Sequence, residues 1–322
     1  MNMRDHGGNL DEAMARFGGT GWLDLSTGIN RRPYPLPPIA PESWQALPTR
    51  ARQTALTQAA HKAWSAHPDT HAIALPGAQA AIQLVPRLTA KGFARVLGPT
   101  YNEHAACLTA EGWQVETVPH LSDLAGADLA IVVNPNNPDG QSHAPETLLA
   151  LREKVGFLVV DESFGDVTPA QSLLPYAPQP GLIVLRSFGK FYGLAGLRLG
   201  FAFGPSDLIA ALKTMSGPWP ISGPAIDVGI NALSDTQWTN TMRAQLTQDA
   251  TRADALAAKA GWPLLGGTTL FRLYDTPDAQ AAQDHLAKAQ VWSRVFPWSP
   301  TALRLGLPGP EAEWNQLARA LI

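Results

Sequence analysis

The residue with the most chemistry to offer is Lys190. The segment from Leu185 to Gly200 reads Leu-Arg-Ser-Phe-Gly-Lys-Phe-Tyr-Gly-Leu-Ala-Gly-Leu-Arg-Leu-Gly and sets this lysine among glycines at 189, 193, 196 and 200, with Ser187 and Arg198 on either side. A lysine amine condenses with aldehydes to form imines. Glycine lets a backbone approach a ligand closely, and a hydroxyl with a fixed guanidinium suits a phosphate. The common protein-bound aldehyde that carries a phosphate is pyridoxal 5'-phosphate. A lone lysine in a glycine-rich loop is ordinarily a surface residue, so other stretches have to agree.

The elements that must position Lys190 are legible in the hydrophobic pattern. Leu182–Leu185 and Leu199–Phe203 are apolar runs that read as buried strands on either side of the segment. From about 72 to 205 strands and helices alternate, which predicts a mostly parallel sheet covered by helices on both faces. The strand at 73–75 leads into Pro76-Gly77-Ala78-Gln79, a glycine turn opening a helix, whose free N–H groups suit an anion. Arg95-Val96-Leu97 runs into Gly98-Pro99-Thr100-Tyr101 and places Tyr101 near a strand's carboxyl end, where α/β sites form. Leu129–Val133 ends in the rigid polar loop Asn134-Pro135-Asn136-Asn137-Pro138, and Phe157–Val160 ends in Asp161-Glu162. A helix is expected at about 50–65. After 205 the pattern predicts helices at 206–216, 235–260, 277–289 and 310–321, with strands at 268–274, 291–296 and 301–306. Arg304 is a cation inside one of these apolar strands, a position that is unfavourable unless the charge is paired.

Composition narrows the class. The chain has 322 residues, 45% of them apolar and 16% charged, and a length that suits two domains. A net charge of −3 leaves no electrostatic footprint for nucleic acid. No apolar run approaches the roughly 20 residues of a membrane helix, and no signal pattern opens the chain. The single cysteine, Cys107, excludes an internal disulfide and suits a cytoplasmic location.

Six separate stretches, taken in order, resemble the aminotransferase superfamily of pyridoxal-phosphate enzymes, and the resemblance runs from His6 to Pro308. It implies an α/β, type I transferase fold: a large domain built on a mostly parallel seven-stranded sheet, with a smaller α+β C-terminal domain. The expected spans are an N-terminal arm at 1–35 packing on the small domain, a large cofactor-binding domain at 36–216 and a small domain at 217–322. By resemblance, Gly77, Ala78 and Gln79 cradle the cofactor phosphate, and Ser187 and Arg198 add side-chain contacts to it. Tyr101 stacks on the ring, Asn137 donates to the ring hydroxyl, Asp161 partners the ring nitrogen and Lys190 carries the imine. Arg304 grips the substrate carboxylate. Lys190, Asp161 and Tyr101 are the catalytic candidates, no metal is implied, and a homodimer is expected.

Within the superfamily, His6-Gly7-Gly8-Asn9, Leu25-Ser26-Thr27-Gly28-Ile29-Asn30, Gly217-Pro218-Trp219 and Leu303-Arg304-Leu305-Gly306-Leu307-Pro308 are similar to the threonine-phosphate decarboxylases of cobalamin biosynthesis. The sister family is histidinol-phosphate aminotransferase. Phe164 stands where aminotransferases usually carry tyrosine, and phenylalanine offers no hydroxyl donor. His6, Asn9, Asn30 and one or both of Arg31 and Arg32 are expected to form an arm that recognises a substrate phosphate. Arg31-Arg32 replaces the usual proline after Asn30, and Leu47-Pro48-Thr49 lacks the tyrosine by which relatives reach across a dimer. The competing readings are an aminotransferase of histidinol phosphate or a related amino acid, and a catalytically inactive regulator or scaffold on the same fold.

Overall fold

The computed structural model describes residues 6–321; residues 1–5 of the expected arm and residue 322 lie outside them. The strands are β1 (Leu23–Asp24), β2 (His71–Leu75), β3 (Phe93–Leu97), β4 (Gln114–Val118), β5 (Leu129–Val133), β6 (Phe157–Asp161), β7 (Leu182–Ser187), β8 (Gly200–Gly204), β9 (Leu264–Thr268), β10 (Phe271–Asp275), β11 (Val291–Trp292), β12 (Arg294–Phe296) and β13 (Ser299–Gly306). The helices are α1 (Leu10–Phe17), α2 (Pro41–Gln45), α3 (Arg50–Ala63), α4 (Ala78–Leu84), α5 (Glu103–Ala110), α6 (Pro145–Arg152), α7 (Ser206–Ser216), α8 (Gly223–Ser234), α9 (Thr236–Lys259), α10 (Ala279–Lys288) and α11 (Glu311–Ala320).

Seven strands form one sheet in the order β2-β8-β7-β6-β5-β3-β4. Only β8 runs against its neighbours β2 and β7. The central strands β5, β6 and β8 are buried along their whole length, as strands covered on both faces must be. Alternation sorts their side chains into two cores. Ala130, Val132, Leu158 and Val160 face one; Leu129, Ile131, Phe157 and Val159 face the other. The carboxyl ends of β2, β3, β5, β6 and β7, and the amino end of β8, therefore gather along one sheet edge. Lys190 lies in the connection between β7 and β8.

A second, antiparallel sheet has the order β12-β13-β10-β9, and Leu286, Leu303, Leu305 and Leu317 share the core that joins it to α10 and α11. The short β1 pairs in parallel with β11 and draws the N-terminal segment toward this unit. The expected strand at 291–296 divides into two. Val291–Trp292 pairs with β1, whereas Arg294–Val295 pairs with Arg304–Leu303 of β13. The strand expected at 268–274 is likewise a hairpin of β9 and β10, turning between Thr268 and Phe271.

The helix α8 was not legible in the sequence, nor was the short α2. Gly223-Pro224 looks like part of a connector, yet it opens α8: the Ser222 hydroxyl accepts from the Ala225 N–H at 3.3 Å, and proline is well suited to a first turn. A side chain at Gly229 would come 2.7 Å from Leu56 of α3, so α8 packs closely against α3. Ile226 and Leu233 share the core of the large sheet. No described helix is long and apolar enough to cross a membrane.

Candidate active site

The sheet edge brings Gly77, Ala78, Gln79, Tyr101, Asn137, Asp161, Phe164, Ser187, Lys190 and Arg198 to the wall of one cavity. Gly77 has φ +78°, and a Cβ there would lie 2.5 Å from a guanidinium nitrogen of Arg198. A Cβ at Gly200 would lie 2.3 Å from the Ala78 nitrogen. Both glycines are thus required by close approach, and together they leave a backbone cradle bordered by Arg198. Arg198 itself is left-handed, with φ 53° and ψ 54°, a conformation that a non-glycine residue keeps only when its surroundings enforce it. Its Nη1 donates to the Ala195 carbonyl at 3.0 Å.

The Lys190 loop is stapled from the N-terminal segment. The Asn30 N–H donates to the Lys190 carbonyl at 2.9 Å, and its Nδ2 donates to the Phe191 carbonyl at 2.9 Å. Burial pushes the Lys190 amine down to about 8; Arg304 and Arg198 push the same way, and Asp161 opposes them. An amine so placed is far more available as a nucleophile or base near neutrality than a solvated lysine.

Asp161 is 2% exposed, and both of its oxygens are occupied. Oδ1 accepts from the Ser163 N–H at 2.9 Å and from its hydroxyl at 2.5 Å; Oδ2 lies 2.8 Å from His104 Nε2. Burial alone would raise the carboxyl, but the contacts with His104 and Ser163 outweigh it and hold the group below the ordinary range. Asp161 is therefore a buried, fixed anion. The Tyr101 hydroxyl donates to Gln79 Oε1 at 3.1 Å, and burial, with Glu103 and Asp161, pushes it up to about 12.

A second cavity adjoins the first and shares Tyr101, Asn137, Phe164 and Lys190 with it. Arg304, 6% exposed, lies on its wall. The guanidinium donates to Asn137 Oδ1 and, at 2.5 Å, to the Ser26 carbonyl, while Nε has no partner. Among the described residues no carboxylate forms an ion pair with it. Burial and the charge of Arg294 push it down to about 9, so it remains cationic at neutral pH. With Asn137 Oδ1 engaged, Nδ2 is the donor that the amide has left.

Of the expected phosphate arm, the structure brings only His6 to this cavity. Arg31 is paired with Glu313 by two hydrogen bonds of 2.7 and 2.6 Å. Arg32 reaches Asp249 at 3.3 Å. Asn9 caps α1 through Glu12, and Asn30 is spent on the Lys190 loop. In this structure these four side chains are engaged within the chain and are not part of the cavity wall. In their place the wall carries Arg294, with Phe296 and Trp298 from the β12–β13 hairpin.

The sequence reading also missed His104 and Ser163. Ser163 was readable, because an aspartate followed two residues later by serine favours a local side-chain-to-backbone turn. His104 was not: nothing local ties it to an aspartate 57 residues away. Arg294 gave only the weak signal of a cation inside the expected strand at 291–296.

These donors fit a flat phosphorylated aldehyde. A backbone cradle beside Ser187 and Arg198 suits the phosphate, a buried anion suits a protonated ring nitrogen, and an amine held near 8 suits the aldehyde. The chain belongs to the class I and II aminotransferase family, which matches residues 40–321. Within that breadth it is 42% identical to the threonine-phosphate decarboxylase of Pseudomonas aeruginosa, covering 99% of this chain and 98% of that one. It is also 42% identical to the enzyme of the same name from a Sinorhizobium species, over 98% and 97% of the two chains. Among solved structures, histidinol-phosphate aminotransferase from Sinorhizobium meliloti in complex with pyridoxal-5'-phosphate superposes with a TM-score of 0.86 at 21% identity, covering 99% of this chain and 94% of that one. This last likeness speaks for the fold.

Proposed function

We propose that the protein is a pyridoxal-phosphate-dependent decarboxylase that converts L-threonine O-3-phosphate to (R)-1-amino-2-propanol O-2-phosphate and carbon dioxide, in cobalamin biosynthesis. The observation that carries this reading is Arg304, a buried cation without a carboxylate partner among the described residues, beside Lys190 in a cavity that also holds Arg294. The full-length similarity to two threonine-phosphate decarboxylases supports it.

Residues Gly77, Ala78, Gln79, Ser187 and Arg198 would hold the cofactor phosphate, with Tyr101 and Asn137 against the ring. When bound, the cofactor supplies an electron-accepting ring for the pair released from the broken Cα–carboxylate bond. Asp161, kept anionic by His104 and Ser163, would favour a proton on the ring nitrogen of a bound cofactor. Arg304 takes the substrate carboxylate through paired donors. Arg294 and His6, on the same wall, suit the substrate phosphate. Two anchors fix the rotation that decides which Cα substituent is lost. Lys190 then delivers a proton to Cα, so that one proton is gained as carbon dioxide leaves. Phe164, packed at 4.9 Å on Phe271, walls this side without offering a hydroxyl.

The division into an arm at 1–35, a large unit at 36–216 and a small unit at 217–322 stays part of this proposal, with α8 on the large-sheet side. So does a homodimer. Gln53 Nε2 donates to the Pro48 carbonyl at 3.4 Å and the Pro218 carbonyl at 3.2 Å, making neighbours of the segments that carry Leu47 and Trp219. Leu47 is 64%, Trp219 54% and Trp44 70% exposed, a set of large apolar side chains that a second copy would cover. The lone, buried Cys107 agrees with a cytoplasmic site of action.

The test is mass spectrometry of the product from cofactor-loaded protein and threonine phosphate. Aminopropanol phosphate should accumulate without 2-oxoglutarate. Turnover that requires 2-oxoglutarate and yields an oxo-acid would make the enzyme an aminotransferase.

A further inference from the structure

Glu103 is a buried carboxylate with no part in the chemistry above. It opens α5, two residues after Tyr101, and is 7% exposed. Oε1 lies 3.0 Å from His6 Nε2, and Oε2 accepts from Gln79 Nε2 at 3.0 Å. The other end of the Gln79 amide accepts from the Tyr101 hydroxyl. An unbroken chain of hydrogen bonds therefore runs from His6 through Glu103 and Gln79 to Tyr101. The His6 and Tyr101 rings are also close, with centroids 5.9 Å apart.

The residues after His6 are fastened to Ser26, which precedes Thr27 and Gly28 of the cavity wall. The Gly8 N–H donates to the Ser26 hydroxyl at 2.7 Å, and that hydroxyl donates to Asp24 at 2.6 Å. A Cβ at Gly7 would lie 2.3 Å from the Ser26 carbonyl oxygen, the same oxygen that accepts from Arg304. Residues 6–8 thus form a strap along the cavity wall, tied at both ends. One end is held by a carboxylate on the Tyr101 side, and the other by the residue that holds Arg304.

We propose that Glu103 is a positioning residue that fastens this strap to the cofactor side of the site, so that the strap, Gln79 and Tyr101 are set together. A carboxylate is suited to the task because its two oxygens serve two donors at once, and a charge-assisted bond is stronger than a neutral one. Glutamine at 103 would keep the shape but offer one acceptor oxygen in place of two. Glu103 touches neither reacting atoms nor cofactor by this account. Its effect passes through His6 and Gln79.

The experiment is a double-mutant cycle on cofactor-loaded full-length protein with Glu103→Gln, His6→Gln and the pair. The first readout is hydrogen exchange of the Gly8 amide, taken without substrate. Either single variant should speed exchange about tenfold, the effect of losing a bond worth roughly 1.4 kcal/mol, and the pair should add little more. The second readout, the only one that rests on the decarboxylase reading, is turnover of threonine phosphate by Glu103→Gln, whose own side chain touches no substrate: KM should rise about tenfold with kcat nearly unchanged. Exchange at Gly8 that is unchanged in Glu103→Gln, or single effects that simply add, would overturn the proposal. If Glu103→Gln does not fold, His6→Gln decides alone: unchanged Gly8 exchange refutes the strap. A threonine phosphate that is no substrate would strike the functional reading and leave the exchange result standing.

Discussion

Two buried arginines divide the labour of this molecule. Arg186, on β7 one residue before Ser187, is 1% exposed and sits between two carboxylates, with Nη1 2.9 Å from Glu162 and Nη2 2.9 Å from Asp166. Its guanidinium lies 4.5 Å from the centre of the Trp64 ring, whose Nε1 donates to Asp166 at 2.7 Å. Burial works against the charge, but the two carboxylates outweigh it and hold the guanidinium above its ordinary value. Arg304 is buried almost as deeply, yet it is held by an amide and a carbonyl and is pushed down to about 9. Both leave Nε without a partner, so the carboxylates make the difference. A buried cation whose charge is matched inside the fold is scaffold. One whose charge is left over is suited to an anion brought from outside.

Exchanging each arginine for methionine tests that division. Arg304→Met should lower kcat/KM for threonine phosphate about 10³-fold, or roughly 4 kcal/mol of lost binding in the transition state. The midpoint of urea unfolding should stay the same or rise, because an unmatched charge has left the interior. Arg186→Met should do the reverse. It strands Glu162 and Asp166 against each other in the core, and breaking a buried pair in this way costs about 3–5 kcal/mol, read as a lower unfolding midpoint. Comparable destabilisation by both variants would show that Arg304 is scaffold as well.

The sequence made these two residues unequally legible. Arg304 declared itself as a cation between Leu303 and Leu305 in a strand that alternation would otherwise bury. Arg186 lies in an equally apolar run, but its partners follow β6, and nothing in its own neighbourhood announces them. The same rule governed the rest of the site. Glycines 77 and 200, Lys190, Asp161 and Arg198 were readable because strand ends and short-range spacing place them. The pairing of Arg31 and Arg32 was not legible, because Glu313 and Asp249 lie 282 and 217 residues further on. Charge pairing over such distances is a property of the fold, and no local pattern encodes it. The fold itself was largely visible in the alternation of β2 to β8. What was lost was the short α2 together with α8, the latter disguised by Gly223-Pro224, and the split strands, where pairing partners rather than hydropathy set the boundary.

The smallest effect separates the two arginines by whether their charge reaches the Lys190 amine. Lys190 is held at about 8, chiefly by burial and next by the charge of Arg304. Only the neutral amine attacks an aldehyde, so cofactor uptake by the cofactor-free protein should rise with pH through a midpoint near 8. At pH 7 about a tenth of the amine is neutral, and uptake should be about tenfold below its plateau. Removing Arg304 removes a neighbouring positive charge, which makes the ammonium form less unfavourable and raises the Lys190 value. The Arg304→Met midpoint should therefore move to higher pH, and uptake at pH 7 should slow further. Arg186→Met should leave the midpoint in place, since Arg186 is not among the charges felt at Lys190. Stopped-flow absorbance of cofactor binding across pH 6–10 measures all three proteins. A midpoint that stays put in Arg304→Met would mean that the unmatched charge is screened from the amine, and a wild-type midpoint near the ordinary lysine value would mean that the amine is solvated after all.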